Sequence, residues 1–282
     1  MDDLGGREFS TSPDNVDVDE SADVYAGEDD DGEADGSTVS VPVPELDDQT
    51  ARCIVQQGEL EILGHMPWSS NATFLALARL DGIEATVVYK PRAGERPLWD
   101  FPDHTLANRE VAAGIVSDAL GWNLVPPTEL RDGPYGVGMV QLFIDHDPDD
   151  HFFTLADDHE DAFKAMAAFD VLVNNADRKG GHCLFDRQRH RIIGIDHGLT
   201  FHVEPKLRTV IWQFGGAPLP PHVADDLRSM QAAFEPTIGL PLRELISSTE
   251  LEALRRRLDV LVENARFPVQ EPGWHTTPWP LV

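Results

Sequence analysis

One forty-residue stretch most constrains what this chain can fold into. DAFKAMAAFDVLVNN (161–175) is so evenly apolar that it predicts a buried helix. The polar loop ADRKGGH (176–182) follows, and then two short apolar runs, HCLFD and RIIGID, separated by a charged turn. That pattern predicts a small hairpin. The second run ends in Asp196-His197-Gly198. Asp177 follows the helix in a polar loop, where it is expected to be exposed, and Asp196 stands at the end of an apolar strand, where it is expected to face a cleft.

The rest of the chain predicts a sheet ahead of this stretch. GELEILGHM (58–66), ATFLALARL (72–80) and EATVVYKP (84–91) read as three strands of an antiparallel meander. PWSSN (67–71) and Asp81-Gly82 are the turns, and 91–103 is a proline-bearing loop. In 106–122, Val111, Ile115, Val116, Ala119 and Leu120 recur at helical spacing, and Gly121 ends the helix. TELRD (128–132) and GVGMVQLFI (136–144) add two strands around Asp132-Gly133. Beyond the hairpin, helices are expected at about 222–234 and at 249–265. The second opens on Thr249-x-x-Glu252, a capping box. The tryptophans at 274 and 279 are expected to pack onto the body. The fold class is α+β: a five-stranded sheet with one helix, a hinge near Phe143–Asp147, and a mainly helical second half. The expected division is 1–50, 51–145 and 146–282.

Charge is concentrated at one end. The 282 residues carry a net charge of −28. Residues 1–48 hold 17 acids and one base, Arg7, while the remainder holds 33 acids and 21 bases. An acidic segment with few large apolar groups cannot bury enough surface to offset chain entropy, so 1–50 reads as a disordered tail, either solvating or an interaction arm. The acidic balance argues against nucleic acid, whose affinity comes from Lys and Arg on phosphates. No apolar run is long enough to span a membrane and no signal pattern opens the chain. Two cysteines, Cys53 and Cys183, supply neither a disulfide framework nor a metal knuckle, so the default location is the reducing cytoplasm.

Several side chains suit phosphoryl transfer, which needs a carboxylate beside the attacking hydroxyl and an acid to hold the cation on the phosphates. Lys90 ends the third strand, within reach of a cleft, and Glu110 in the next helix can orient it. Each alone is also consistent with a solvated surface residue. Ser69, Ser70 and Asn71 can offer hydrogen bonds to phosphates from the first turn, although an ordinary hairpin turn fits as well. Asp177 suits a general base. Arg178 can stabilise transferred charge or pair locally. Asp196 is a hard oxygen ligand for Mg²⁺, and His182 is a candidate second ligand that suits Mn²⁺ or Fe²⁺ somewhat better. It also reads as a hydrogen-bond partner of Asp196. The chain has no Walker loop, no His-Glu-x-x-His and no Gly-x-Ser-x-Gly.

On NADRKGGH, IDHGLTF and GVGMVQLFID, the chain resembles the phosphatidylinositol 3-/4-kinase superfamily over roughly 58–215. The nearest pattern is that of type II phosphatidylinositol 4-kinases, and the chain is also similar to an uncharacterised bacterial branch typical of actinobacteria. The resemblance implies a two-lobed protein-kinase-like fold and an ATP- and Mg²⁺-dependent phosphotransferase. It implies Lys90 on the phosphates, Glu110 orienting it, Asp177 as base, Asp196 on the metal, and Gln141, Phe143 and Ile144 bordering adenine. Two positions depart from the family pattern: His182 replaces an Asn ligand, and Lys179 stands where lipid kinases have a His. The segment 202–216 occupies the substrate-loop position with only Lys206 and Arg208 as bases. That favours a protein or small-molecule acceptor over a phosphoinositide. A nucleotide-binding pseudokinase and an adenylyl transferase on the same fold are the alternative readings. The oligomeric state is unassigned.

Overall fold

The computed structural model describes residues 46–66, 71–270 and 276–282, which belong to one unit. Five antiparallel strands form one sheet in the order β1-β2-β3-β5-β4. They are β1 (Glu59–His65), β2 (Phe74–Leu80), β3 (Ile83–Pro91), β4 (Thr128–Gly133) and β5 (Gly136–Leu142). Asp81 and Gly82 both have positive φ, 50° and 81°, which is the two-residue turn whose twist matches flanking strands. It fixes Leu80 opposite Ile83 and Phe74 opposite Tyr89.

Alternation along β3 then separates two faces. Ala85, Val87 and Tyr89 pack into a core with Ala76, Ala78, Val140 and Leu142. Lys90 lies opposite Met139, whose side chain packs against Ala107 and Val111 of α2 (Leu106–Ala119). The α2 N-terminus is capped from a distance: the Glu95 carboxylate accepts the Leu106 and Ala107 N–H groups at 3.0 and 2.8 Å.

Helix α1 (Asp48–Gln57) was not expected from the sequence. It starts inside the stretch read as a tail, with Asp47 as N-cap accepting the Thr50 N–H at 2.9 Å. The remainder of that stretch, 1–45, lies outside the described residues. Ala51, Ile54 and Val55 are buried on the sheet. Arg52 pairs with Asp118 of α2, and Asp48 pairs with Arg189 at 2.7 Å.

The second half is mainly helical. It contains α3 (Phe152–Leu155), α4 (Glu160–Val173), α5 (Pro221–Ala232), a π turn over Glu235–Gly239, α6 (Leu240–Leu242) and α7 (Ser248–Asn264). Phe163, Met166, Phe169 and Leu172 of α4 are fully buried, each contributing about 1.5–3 kcal/mol by its removal from water. The capping box of α7 is Ser247 with Glu250, two residues earlier than expected. The reason is tertiary, because Glu250 also meets buried Arg109 of α2 at 2.5 Å. Strands β6 (Cys183–Asp186) and β7 (Arg191–Gly194) form the expected hairpin. Trp279 is 87% exposed and does not pack on the body, whereas Trp274 lies outside the described residues. The fold is α+β, with sheet, helix, hairpin and helices in the order expected from the sequence.

Candidate active site

Four elements converge on one cluster. Lys90 at the end of β3 donates from Nζ to Glu110 Oε1 of α2 at 2.8 Å and to Asp196 Oδ1 at 3.1 Å. Glu110 uses its other oxygen to accept the His197 N–H at 2.7 Å. The carboxylate thus joins α2 to both β3 and the turn after β7. A Cβ on Gly198 would make only ordinary contacts, 3.5 Å from Leu106 Cβ and 3.9 Å from Glu110 Oε1, so the approach does not depend on this glycine. Asp196 has a positive φ of 58°, an uncommon conformation for a residue with a side chain.

The electrostatics follow from burial and pairing. The Lys90 ammonium, close to the Asp196 and Glu110 carboxylates, holds the Asp196 carboxyl well below the usual range. Burial also works against the Lys90 charge, but the two acids outweigh it and its pKa is raised. Glu110 is pushed up by burial, which Lys90 only partly offsets. The cluster therefore holds two carboxylates against one ammonium, and an added cation is favoured there.

His182 connects the polar loop to this cluster. Its Nδ1 lies 3.0 Å from the Asp177 carbonyl oxygen, which can only accept, so Nδ1 carries the proton. Burial lowers the His182 pKa and favours the neutral ring. Nε2 then presents a lone pair 3.4 Å from Asp196 Oδ2. Two acceptors facing each other at this separation suit a shared cation, and imidazole nitrogen with carboxylate oxygen suits Mn²⁺ or Fe²⁺ better than Mg²⁺. Among the described residues no group of three or more His, Cys, Asp or Glu side chains comes together as a metal cage.

Asp177 is held from both ends. Its N–H donates to Asn175 Oδ1 at 3.0 Å, and its Oδ2 lies 3.0 Å from Lys179 Nζ. Asn175 in turn donates to Asp170 Oδ1 at 3.0 Å.

Arg178 corrects an expectation. A role in touching transferred charge needs an accessible guanidinium, and Arg178 is 0% exposed. It donates to Asp170 through Nε and Nη2 at 3.0 Å, and to the carbonyls of His182 and Ile195 at 3.1 and 3.0 Å. It also donates to His197 Nε2 at 2.7 Å, so His197 Nδ1 bears hydrogen, and that buried atom has no partner among the described residues. A Cβ on Gly194 would sit 3.2 Å from Arg178 Nη2, so this glycine makes room for the fork. Arg178 positions the loop and the Asp196 turn and is sealed from solvent. Asp170 escaped notice in the sequence, although an acid within an apolar helix signals a buried partner.

The remaining expected residues are dispersed. Asn71 accepts the Arg96 N–H at 2.9 Å, while Ser69 and Ser70 lie outside the described residues. Gln141 is buried with its amide on Thr128 Oγ1 at 2.8 Å, and Ile144 is buried with Leu142, Leu184 and Ile193. Phe143 is half-buried, its N–H on the Thr86 carbonyl at 3.0 Å. Lys206 is not a free base: it pairs with Asp100 at 2.8 Å.

The protein Rv2133c of Mycobacterium tuberculosis is 41% identical over 277 residues, covering 83% of this chain and 95% of that one. The chain belongs to the family of that protein. No known family profile matches it. The solved structures similar to it include the proinflammatory kinase CtkA of Helicobacter pylori, 13% identical with a TM-score of 0.45, covering 75% of this chain and 94% of that one. The FAT and kinase domain of CtTel1 is 13% identical with a TM-score of 0.38, covering 71% of this chain and 22% of that one. Among the described residues no helix is long and apolar enough to cross a membrane.

Proposed function

We propose that this chain is an ATP- and metal-dependent phosphotransferase of the phosphatidylinositol 3-/4-kinase-like type, acting on a protein or small-molecule hydroxyl. The observation that carries the reading is the meeting of Lys90, Glu110 and Asp196 from three distant elements. In this reading residues 51–145 form the nucleotide-binding half and 146–282 the catalytic half. Lys90 binds the phosphates of ATP and Glu110 orients it. Asp196 and His182 hold Mg²⁺ or Mn²⁺, which supplies charge neutralisation on the phosphates. Asp177 aligns the acceptor hydroxyl and takes its proton, while Asn175 holds its backbone N–H and Lys179 its carboxylate. Phe143 borders the adenine.

A second reading, a nucleotide-binding protein without turnover, draws on the engagement of Asp196 by both Lys90 and His182. Transfer or hydrolysis of γ-labelled phosphate from ATP, with each metal, separates the two. The expected result is turnover that Asp177→Asn lowers at least 100-fold while the melting temperature stays within about 3 °C. Thermal stabilisation by ATP without any turnover favours the second reading, and no stabilisation by ATP with either metal removes both.

A further inference from the structure

The acceptor side of the polar loop has a feature that the proposed nucleotide side lacks. Gly180 and Gly181 follow Asp177 closely and carry no side chains, and residues 276–282 lie against them. The Gly180 N–H donates to the Leu281 carbonyl at 2.6 Å. A Cβ on Gly180 would meet the Phe153 ring at 3.1 Å and the Leu281 oxygen at 3.2 Å, whereas one on Gly181 would lie 3.6 Å from Val282 Cγ1. The other end of the segment is fixed as well, since the Thr276 carbonyl accepts the Thr209 N–H and the Trp212 indole N–H, both at 3.0 Å. Thr209 itself pairs with Arg178. Loop, substrate-loop segment and final segment are therefore laced together.

This lacing leaves Asp177 open, with a quarter of its side chain exposed. Around the two glycines it leaves Phe153, Leu281 and Val282 exposed to water, with Trp279 two residues away. Covering such side chains contributes roughly 25 cal/mol per Å², so a group of them next to a reactive carboxylate marks a docking surface. Charge decides what docks. Outside its acidic first 48 residues the chain still has 33 acids against 21 bases. Close to Phe153 stand the exposed acids Asp149, Asp157 and Asp158, while Lys179 and Lys206 are paired with Asp177 and Asp100 and Arg208 is the exposed base on the segment beside the loop. An anionic headgroup is disfavoured here, and a cationic partner is favoured.

We infer that Phe153, Leu281 and Val282 form a shelf that docks a polypeptide acceptor, with apolar side chains beside its serine or threonine and basic residues farther out. The inference rests on the reading of Asp177 as the acceptor's base. Transfer joins the acceptor oxygen to the γ-phosphorus of ATP, breaks that phosphorus from the bridging oxygen, releases ADP and moves the hydroxyl proton to Asp177.

Binding to the full chain is measured by fluorescence anisotropy without ATP. The probes are labelled serine peptides flanked by Leu, Phe, Lys and Arg, or by Asp and Glu, with phosphatidylinositol vesicles as the third arm. The basic apolar peptide is expected to bind at least tenfold more tightly than the acidic one. Leu281→Asp is expected to weaken it about tenfold, and Gly181→Ala to leave it within twofold. Val282→Asp serves as a second exposed variant if Leu281→Asp unfolds. Equal binding of the two peptides, unchanged binding by the Asp variants, or preferred binding of vesicles that these variants abolish would overturn the shelf as a polypeptide site. Peptide binding that passes these tests in a protein showing no ATP binding by thermal shift would retain the shelf and remove the phosphotransfer reading.

Discussion

Two ionic networks lie back to back around the Asp196 turn, and they share chemistry but not exposure. Arg178 and Asp170 are both 0% exposed, and every guanidinium contact is to the protein itself. In the other network Asp196 is 47% exposed and Lys90 22%. The sealed pair supports the backbone from behind. The open cluster has its charges gathered where a ligand can reach them. The comparison shows why a basic residue next to a candidate base need not be catalytic: what matters is which side of the loop it leaves from.

Breaking the sealed network should have the largest effect. Asp170→Ala leaves a buried guanidinium uncompensated, at a cost of about 3–5 kcal/mol. Scanning calorimetry should then show a melting temperature on the order of 10 °C lower. A loss below about 3 °C would mean that the two networks do not differ in kind.

The next effect is one of pH, and it separates the histidines from the carboxylate. Burial holds His197 well below 6.5, with Arg178 adding to it, and burial likewise lowers His182. A depressed histidine contributes stability that is present above its unfolded value and lost as pH falls through its folded value. Urea midpoints should therefore fall as pH drops below 6.5, by up to about 1.4 kcal/mol per pH unit for each ring. His197→Gln should flatten part of that slope. Asp196 is held below the usual carboxylate range and should contribute nothing to the slope over the same interval.

The smallest effect on stability belongs to the open cluster. Asp196→Asn should change unfolding free energy by less than about 1 kcal/mol, as expected for a half-exposed pair. Phosphate transfer should nevertheless fall at least 100-fold. A large loss of stability with retained transfer would reverse the roles given to the two networks.

Much of this was legible from residue order. The Asp81-Gly82 turn predicted a register that places Lys90 at the end of β3, and the helix spacing placed Glu110 one turn into α2. Glu110 was expected to orient Lys90, and the two are paired, but the ion pair of Lys90 with Asp196 was not foreseen. Arg178 was misjudged because its partner stands eight residues earlier in α4, and nothing local says which way a loop side chain turns. The α7 cap was ambiguous because Ser247-x-x-Glu250 and Thr249-x-x-Glu252 both fit a capping box, and only Arg109 selects the first. Helix α1 went unread because Ala51, Ile54 and Val55 are a short apolar signal beside an acidic run.

Helix α1 also bears on how a shorter protein should be cut. Asp48 meets Arg189 and Arg191, and Arg189 also donates to the Leu46 carbonyl at 2.8 Å. Arg189 lies in the turn before β7 and Arg191 opens β7, the strand that runs to the Asp196 turn. Cutting at the apparent end of the acidic composition, near residue 50, would remove the carboxylate those arginines share and the Asp47 cap. The first residue to keep is Leu46 or one before it, and a shorter product would lose the clasp between the sheet and the hairpin while its sequence still looked intact.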